Sequence, residues 1–192
     1  DGYKEKVMQH IVNKTEQDFG GHISVGVMGV QHIMRGLSEN GCLDLAYKIA
    51  TNTDYPSWGY MAENGATTIW ELWNGNTADP AMNSGNHVML LGDLLIWEYS
   101  YLAGISNAEG SCGYRRIKLK PYIPADLDHV ECSYESIYGT IGSSWHKMSD
   151  NGLEWNISIP ANTTAEIWIP QKNGGYKVKN YKSESYTIKT KI

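Results

Sequence analysis

The apolar residues of this chain change their spacing near residue 110, and no single regular architecture satisfies both patterns. Before that point they recur three and four positions apart: Val7, Met8, Ile11 and Val12, then Val30, Ile33, Met34 and Leu37. A third set runs through Leu43, Leu45, Ala46, Ile49 and Ala50. Such spacing puts each set on one side of an α-helix. Asn40-Gly41 reads as the stop of one helix and the tight corner before the next. A fourth helix is expected from about Asn86 to Ala103, ending at Gly104, with Val88, Leu91, Leu94, Leu95, Ile96, Trp97 and Leu102 spread nearly all round it. A helix of that kind is normally buried on most faces.

After Ser111 the pattern becomes strict alternation. Leu153, Trp155, Ile157 and Ile159 point one way while Glu154, Asn156 and Ser158 point the other. Ile167 and Ile169 repeat this, as do Ile117 and Leu119 against Lys118 and Lys120. Turn signals at Tyr138-Gly139, Asp150-Asn151-Gly152, Pro160-Ala161-Asn162 and Asn173-Gly174-Gly175 separate the runs. Short strands at this interval predict a β-sandwich of roughly 80 residues. The expected organisation is therefore a helical segment over 1–107 and a sandwich over 108–192. Gly104 to Gly113, rich in Ser, Asn and Gly, is the expected linker.

Charge divides in the same place. The first 110 residues hold 5 Lys/Arg against 13 Asp/Glu, a net of −8, and residues 111–192 hold 11 against 8, a net of +3. With an overall charge of −5 and no basic run, nucleic acid is not an expected partner. At 41% hydrophobic and 19% charged the chain can bury a core, which excludes global disorder. Its longest apolar stretch, Val88 to Trp97, is interrupted by Gly92 and Asp93 and is too short to span a bilayer, so no membrane role is expected. The opening Asp-Gly-Tyr lacks a charged start and apolar run, so any signal peptide is expected to be absent or removed.

Cys42, Cys112 and Cys132 are too scattered for a zinc site and too few for a disulfide scaffold. Gly20-Gly21 and Gly26 through Gly29 lack the strand and spacing of a nucleotide loop. No Gly-x-Ser-x-Gly elbow is present, and His10, His22 and His32 are too far apart for a helical metal pair.

The helical half looks unfinished. Four helices from about 110 residues bury too small a fraction of their surface to satisfy one that is apolar on most sides. Either a second copy of the chain or a further helical segment is expected to cover it.

Chemistry concentrates between the third and fourth helices, from Tyr55 to Asn86. Trp58, Trp70 and Trp73 lie within sixteen positions around one carboxylate, Glu71. Indole faces stack on the apolar face of a pyranose, and the excess of 7 Trp and 13 Tyr over 1 Phe suits such a surface. A carboxylate among indoles is partly desolvated, which suits proton transfer. Taken singly, each residue has a plainer reading: the tryptophans as core, Glu71 as a solvated surface acid, His87 as a filler at a helix start. Glu63, Asp79, Asp93 and Glu98 read as surface or helix-end acids, and Cys112 and Cys132 as small packed hydrophobes.

Together the words are more specific. Tyr55-Pro56-Ser57-Trp58-Gly59-Tyr60, followed by Gly65-Ala66-Thr67-Thr68-Ile69-Trp70-Glu71-Leu72-Trp73, resembles the signature of bacterial α-L-rhamnosidases, glycoside hydrolase family 78. Upstream, His22 to Gly29, Leu37, Gly41 and Asp44-Leu45-Ala46-Tyr47 resemble the helices that lead into that signature. Downstream, Asn83 to His87 resembles the family's Asn-His helix start. Ser133-Tyr134-Glu135-Ser136, Tyr138-Gly139 and Ile159 through Ala165 resemble its C-terminal β-domain. One departure is Ser24-Val25-Gly26, which stands where a Thr-Gly pair is expected.

The resemblance implies the last helices of an (α/α)₆ barrel followed by a C-terminal antiparallel β-sandwich. It implies inverting hydrolysis of terminal α-L-rhamnose from a rhamnose-containing glycoside or polysaccharide. Glu71 is then the general base and His87 a sugar contact, with Trp73 and Trp58 lining the pocket. No metal or cofactor is required by that acid–base mechanism. The family's general acid lies in an upstream barrel segment, so this chain alone is expected to hydrolyse nothing measurable. Two alternatives stand beside this: another (α/α)₆ sugar enzyme such as an unsaturated glucuronyl hydrolase, and a non-catalytic carbohydrate-binding or structural module. A periplasmic or secreted location is favoured over a cytoplasmic one.

Overall fold

The computed structural model describes residues 2–192; Asp1, where the expected helical segment begins, lies outside the described residues. The chain divides into two compact units, the first ending at Trp97 and the second running from Glu98 to Ile192.

The first unit is helical. Its helices are α1 (Gly2–Asn13), α2 (Val27–Glu39), α3 (Leu43–Thr51), α4 (Trp58–Glu63) and α5 (Val88–Trp97), with a π-helical turn at Lys14–Asp18 after α1. α2 packs against α3 and α5. It buries Val30, Met34 and Leu37, α3 buries Leu45, Ala46 and Ile49, and α5 buries Leu90, Leu94 and Trp97. Those are the i, i+3/i+4 sets that an amphipathic helix turns inward. The indole N–H of Trp97 donates to the Ser38 hydroxyl at 2.8 Å, which itself donates to the Met34 carbonyl at 2.8 Å, so both buried polar groups are satisfied. The corner expected at Asn40-Gly41 is present. Gly41 adopts φ 82°, a left-handed conformation that side chains disfavour, and this lets the Cys42 N–H turn back to the Leu37 carbonyl at 2.8 Å.

Two helices behave as the unfinished half predicts. α1 has no buried residue despite Val7, Met8, Ile11 and Val12. On α5, Val88, Met89, Leu95 and Ile96 are all exposed, Val88 by 68%. α4 was not expected. It is a turn and a half long, too short to show a period, and is started by the Ser57 hydroxyl accepting the Tyr60 N–H at 2.9 Å.

The second unit opens with a π-helical turn at Glu98–Leu102 and is then all strand: β1 (Ile105–Asn107), β2 (Arg116–Leu119), β3 (His129–Val130), β4 (Ser133–Ser136), β5 (Gly139–Met148), β6 (Gly152–Ser158), β7 (Thr164–Pro170), β8 (Tyr176–Lys182) and β9 (Ser185–Lys191). One sheet runs β1-β2-β7-β8; the other runs β3-β5-β6-β9, with β4 pairing β5. All pairings are antiparallel except β2 with β7, which is parallel. Alternating residues make the core: Ile117 and Leu119 of β2, Leu153, Trp155 and Ile157 of β6, Ala165, Ile167 and Ile169 of β7. The expected linker is partly strand. Ile105 in β1 is buried and faces Leu119 across an antiparallel pair, but three residues are too few for alternation to be seen in sequence. Asn151 and Asn162, at φ 58° and 63°, occupy the left-handed corners of two expected turns.

Candidate active site

Between α4 and α5 the chain forms a two-legged arm joined by hydrogen bonds between main-chain groups and between main chain and side chains. The His87 N–H donates to the Ile69 carbonyl at 2.7 Å and the Glu71 N–H to the Ser84 carbonyl at 2.9 Å. The Leu72 N–H donates to the Asn83 side-chain oxygen at 3.0 Å, and the Thr68 hydroxyl donates to the Gly85 carbonyl. The tip folds on local turns, with the Thr77 and Ala78 N–H groups both reaching the Asn74 carbonyl at 2.9 Å. It is tied to α4 by Asn76, whose amide donates to the Tyr60 hydroxyl and the Asn64 side-chain oxygen, both at 3.2 Å. Gly75 lies under the Trp70 indole, where an added Cβ would come within 2.6 Å of the ring.

Glu71 is therefore placed by its own main chain. Its carboxylate is exposed, belongs to no ion pair among the described residues, and accepts the Ser84 N–H through Oε2 at 3.1 Å. That backbone donor fixes its direction. His87 stands on the facing leg, half-buried, at the entry to α5. Its Nδ1 is buried without a hydrogen-bond partner, an uncommon state for a ring nitrogen.

The two tryptophans occupy the base of the arm. Trp58, only 6% exposed, donates its indole N–H to the Leu90 carbonyl at 3.1 Å. Trp73, half-buried, donates to the Val25 carbonyl at 3.0 Å. Their rings meet edge to face, with centroids 5.3 Å apart at 89°. Trp58 also lines a cavity of about 370 Å³ with Met61, Thr68, Asn86, Val88 and Leu91. Glu71, His87 and Trp73 do not line it. The structure thus sets Glu71 and His87 on adjoining legs, and Trp58 against Trp73.

Of the acids read as surface or helix-end groups, two differ. Asp93 pairs with Arg35 at 3.7 Å. In the second unit, burial pushes the Glu98 carboxyl above its ordinary value, so it is no solvated acid. Burial, and then the Glu98 charge, push up the Cys132 thiol. The three cysteines are free; Cys132 is half-buried, but Cys112, expected to be packed, is exposed because it lies in the turn before β2. No group of three His, Cys, Asp or Glu able to hold a metal occurs among the described residues.

Helices followed by an antiparallel-rich sandwich are the architecture of the six-hairpin glycosidase class that the chain matches. Residues 1–102 match the bacterial alpha-L-rhamnosidase 6 hairpin glycosidase domain, and residues 104–184 match the bacterial alpha-L-rhamnosidase C-terminal domain. The chain belongs to the bacterial α-L-rhamnosidase family. An α-L-rhamnosidase of Streptomyces avermitilis is 35% identical over 154 residues, covering 78% of this chain and 15% of the relative. One from Formosa agariphila is 36% identical over 184 residues, covering 92% and 19%. The crystal structure of the Streptomyces avermitilis enzyme complexed with L-rhamnose superposes with a TM-score of 0.85 at 29% identity, over 92% of this chain and 19% of that one. The chain thus spans less than a fifth of the length of these relatives.

Proposed function

We propose that this chain supplies the base-bearing end of the catalytic barrel of an inverting α-L-rhamnosidase, with Glu71 as general base and His87 as a contact to the sugar. The observation that carries this reading is the cradle of Glu71: an exposed carboxylate, in no ion pair among the described residues, aimed by the Ser84 N–H and set across the arm from His87. With Oε2 held, Oε1 takes the proton of an attacking water. His87 is half-buried at the entry to α5, and its exposed portion is what is left to meet a sugar. Trp58 and Trp73 support the reading as an apolar floor whose polar handles are already engaged.

Inversion needs an acid on the far side of the glycosidic oxygen, with carboxyl groups roughly 6.5–9.5 Å apart to admit the water. That acid belongs to barrel helices preceding these. The same helices would cover Val88, Met89, Leu95 and Ile96 of α5. The chain by itself is expected to release no nitrophenol from p-nitrophenyl α-L-rhamnoside above buffer. In a polypeptide carrying the remaining barrel, Glu71→Gln is expected to lower kcat by about 10²–10⁴-fold, and NMR of the fresh product is expected to show the β-anomer first. Turnover surviving Glu71→Gln, or an α-anomer product, overturns the assignment.

A further inference from the structure

The outer face of the β1-β2-β7-β8 sheet gathers two lysines against aromatic rings with one carboxylate nearby, Glu166, which forms no ion pair with either among the described residues. Lys118 of β2 points outward between the buried Ile117 and Leu119, and Lys120 follows the strand's end at the next outward position. The parallel register sets Lys118 opposite Glu166 on β7, which brings Lys120 alongside Trp168. The Lys118 ammonium lies 5.2 Å from the centre of the Trp168 ring and the Lys120 ammonium 4.6 Å from it. Lys120 is also 5.0 Å from the centre of the Tyr176 ring. The rings are themselves fixed. The Trp168 indole donates to the Glu166 carboxylate at 2.5 Å, the Tyr176 hydroxyl donates to the Pro121 carbonyl at 3.1 Å, and the two rings meet edge-on at 6.0 Å. Neither lysine forms an ion pair among the described residues.

Two ammonium groups on one indole repel each other, and a ring quadrupole offsets only part of that cost. Burial and the Lys118 charge hold the Lys120 ammonium below its ordinary value. An anion bridging the pair removes the repulsion, and the rings present both donors without further ordering of long side chains.

We propose that this face of the sandwich binds a uronate of an acidic polysaccharide, its carboxylate bridging Lys118 and Lys120 and its ring edge resting on Trp168 and Tyr176. The sugar identity of the anion rests on the rhamnosidase reading above; the anion itself rests on two ammonium groups held over one indole, where the one nearby carboxylate, Glu166, is engaged by the Trp168 N–H. The surface would give the protein an accessory hold on a charged polymer substrate.

The test is binding of short oligogalacturonates to the whole chain by calorimetric titration at moderate salt, against the same oligomers methyl-esterified. Binding of the acid form alone is expected. Lys118→Ala with Lys120→Ala, and separately Trp168→Ala, are expected to weaken it about tenfold or more, the scale of one charge-assisted contact. Lys177→Ala with Lys179→Ala removes equal charge from the exposed β8 edge and is expected to leave binding intact. Circular dichroism of each variant confirms folding. Glu71→Gln is expected to change nothing here, so loss of this site and loss of the catalytic reading are separate results. No binding of the acid oligomers overturns the proposal, as does an equal loss from the Lys177/Lys179 variant. Tighter binding of poly-L-glutamate through the same two lysines assigns the face to an acidic protein segment instead and also overturns it.

Discussion

Ser143 shows how one hydroxyl can hold two parts of a core. It is fully buried on β5, donates to the Ala103 carbonyl at 2.6 Å and accepts the Trp155 indole N–H at 3.0 Å. Removing it strands a buried carbonyl and a buried indole donor together. Ser143→Ala is expected to destabilise the sandwich by about 1–3 kcal/mol, read as a lower denaturant midpoint in tryptophan fluorescence. Glu98 works in the other sense. Its carboxyl is pushed up by burial, so protonation favours the folded state. The stability this provides is complete below the ordinary carboxylate pKa and is lost as pH rises through the folded value. Glu98→Gln is therefore expected to raise the melting temperature at pH 7 and to have little effect near pH 4. A variant that melts lower at pH 7 would show Glu98 to be held by favourable contacts instead.

At the scale of elements, legibility followed length. α2 and α3 carry full sets of apolar residues at helical spacing, and β6 and β7 carry three or more alternations, so their positions were plain in the sequence. α4, β1 and the two π-helical turns are three to six residues long, and no period can be read from so few. The arm was invisible for another reason. Its legs are joined by backbone groups and by Asn83, Ser84 and Thr68, and such bonds leave no hydrophobic pattern. Glu71 and His87 stood out through family resemblance; composition pointed only to a sugar surface. Glu98 sits at the end of α5, as its surface or helix-end reading allows, but its partial burial could not be seen from its identity. α5 was read correctly as apolar all round, but in this chain one side of it meets solvent. Leu95→Lys with Ile96→Lys is expected to reduce binding of the dye ANS and any self-association in sedimentation, with little loss of helix. An unchanged dye signal would place the exposed apolar surface elsewhere.

On the scale of the molecule, the two units rest on different kinds of contact. The sandwich closes a continuous core between two sheets, centred on Trp145, Trp155 and Ile167. The helical unit has one helix with nothing buried and another half covered. Hydrogen exchange should separate them. Amides of β5 and β6 are expected to exchange slowest and those of α1 fastest, with α2 between, because opening free energy tracks buried apolar contact. Protection of α1 equal to that of β6 would contradict this.

The parallel pairing of β2 with β7 also sets a timetable. Arg116 meets Thr164 and Leu119 meets Ile167, so strands made early must wait for a segment translated much later. A nascent chain halted before β7 emerges from the ribosome carries a β1–β2 ribbon whose β2 edge still lacks its native partner. Partners far apart along the polymer close slowly, and bare edges recruit other strands. Assembly of this half is thus a late event of synthesis, and that interval is when the protein is most exposed to clumping.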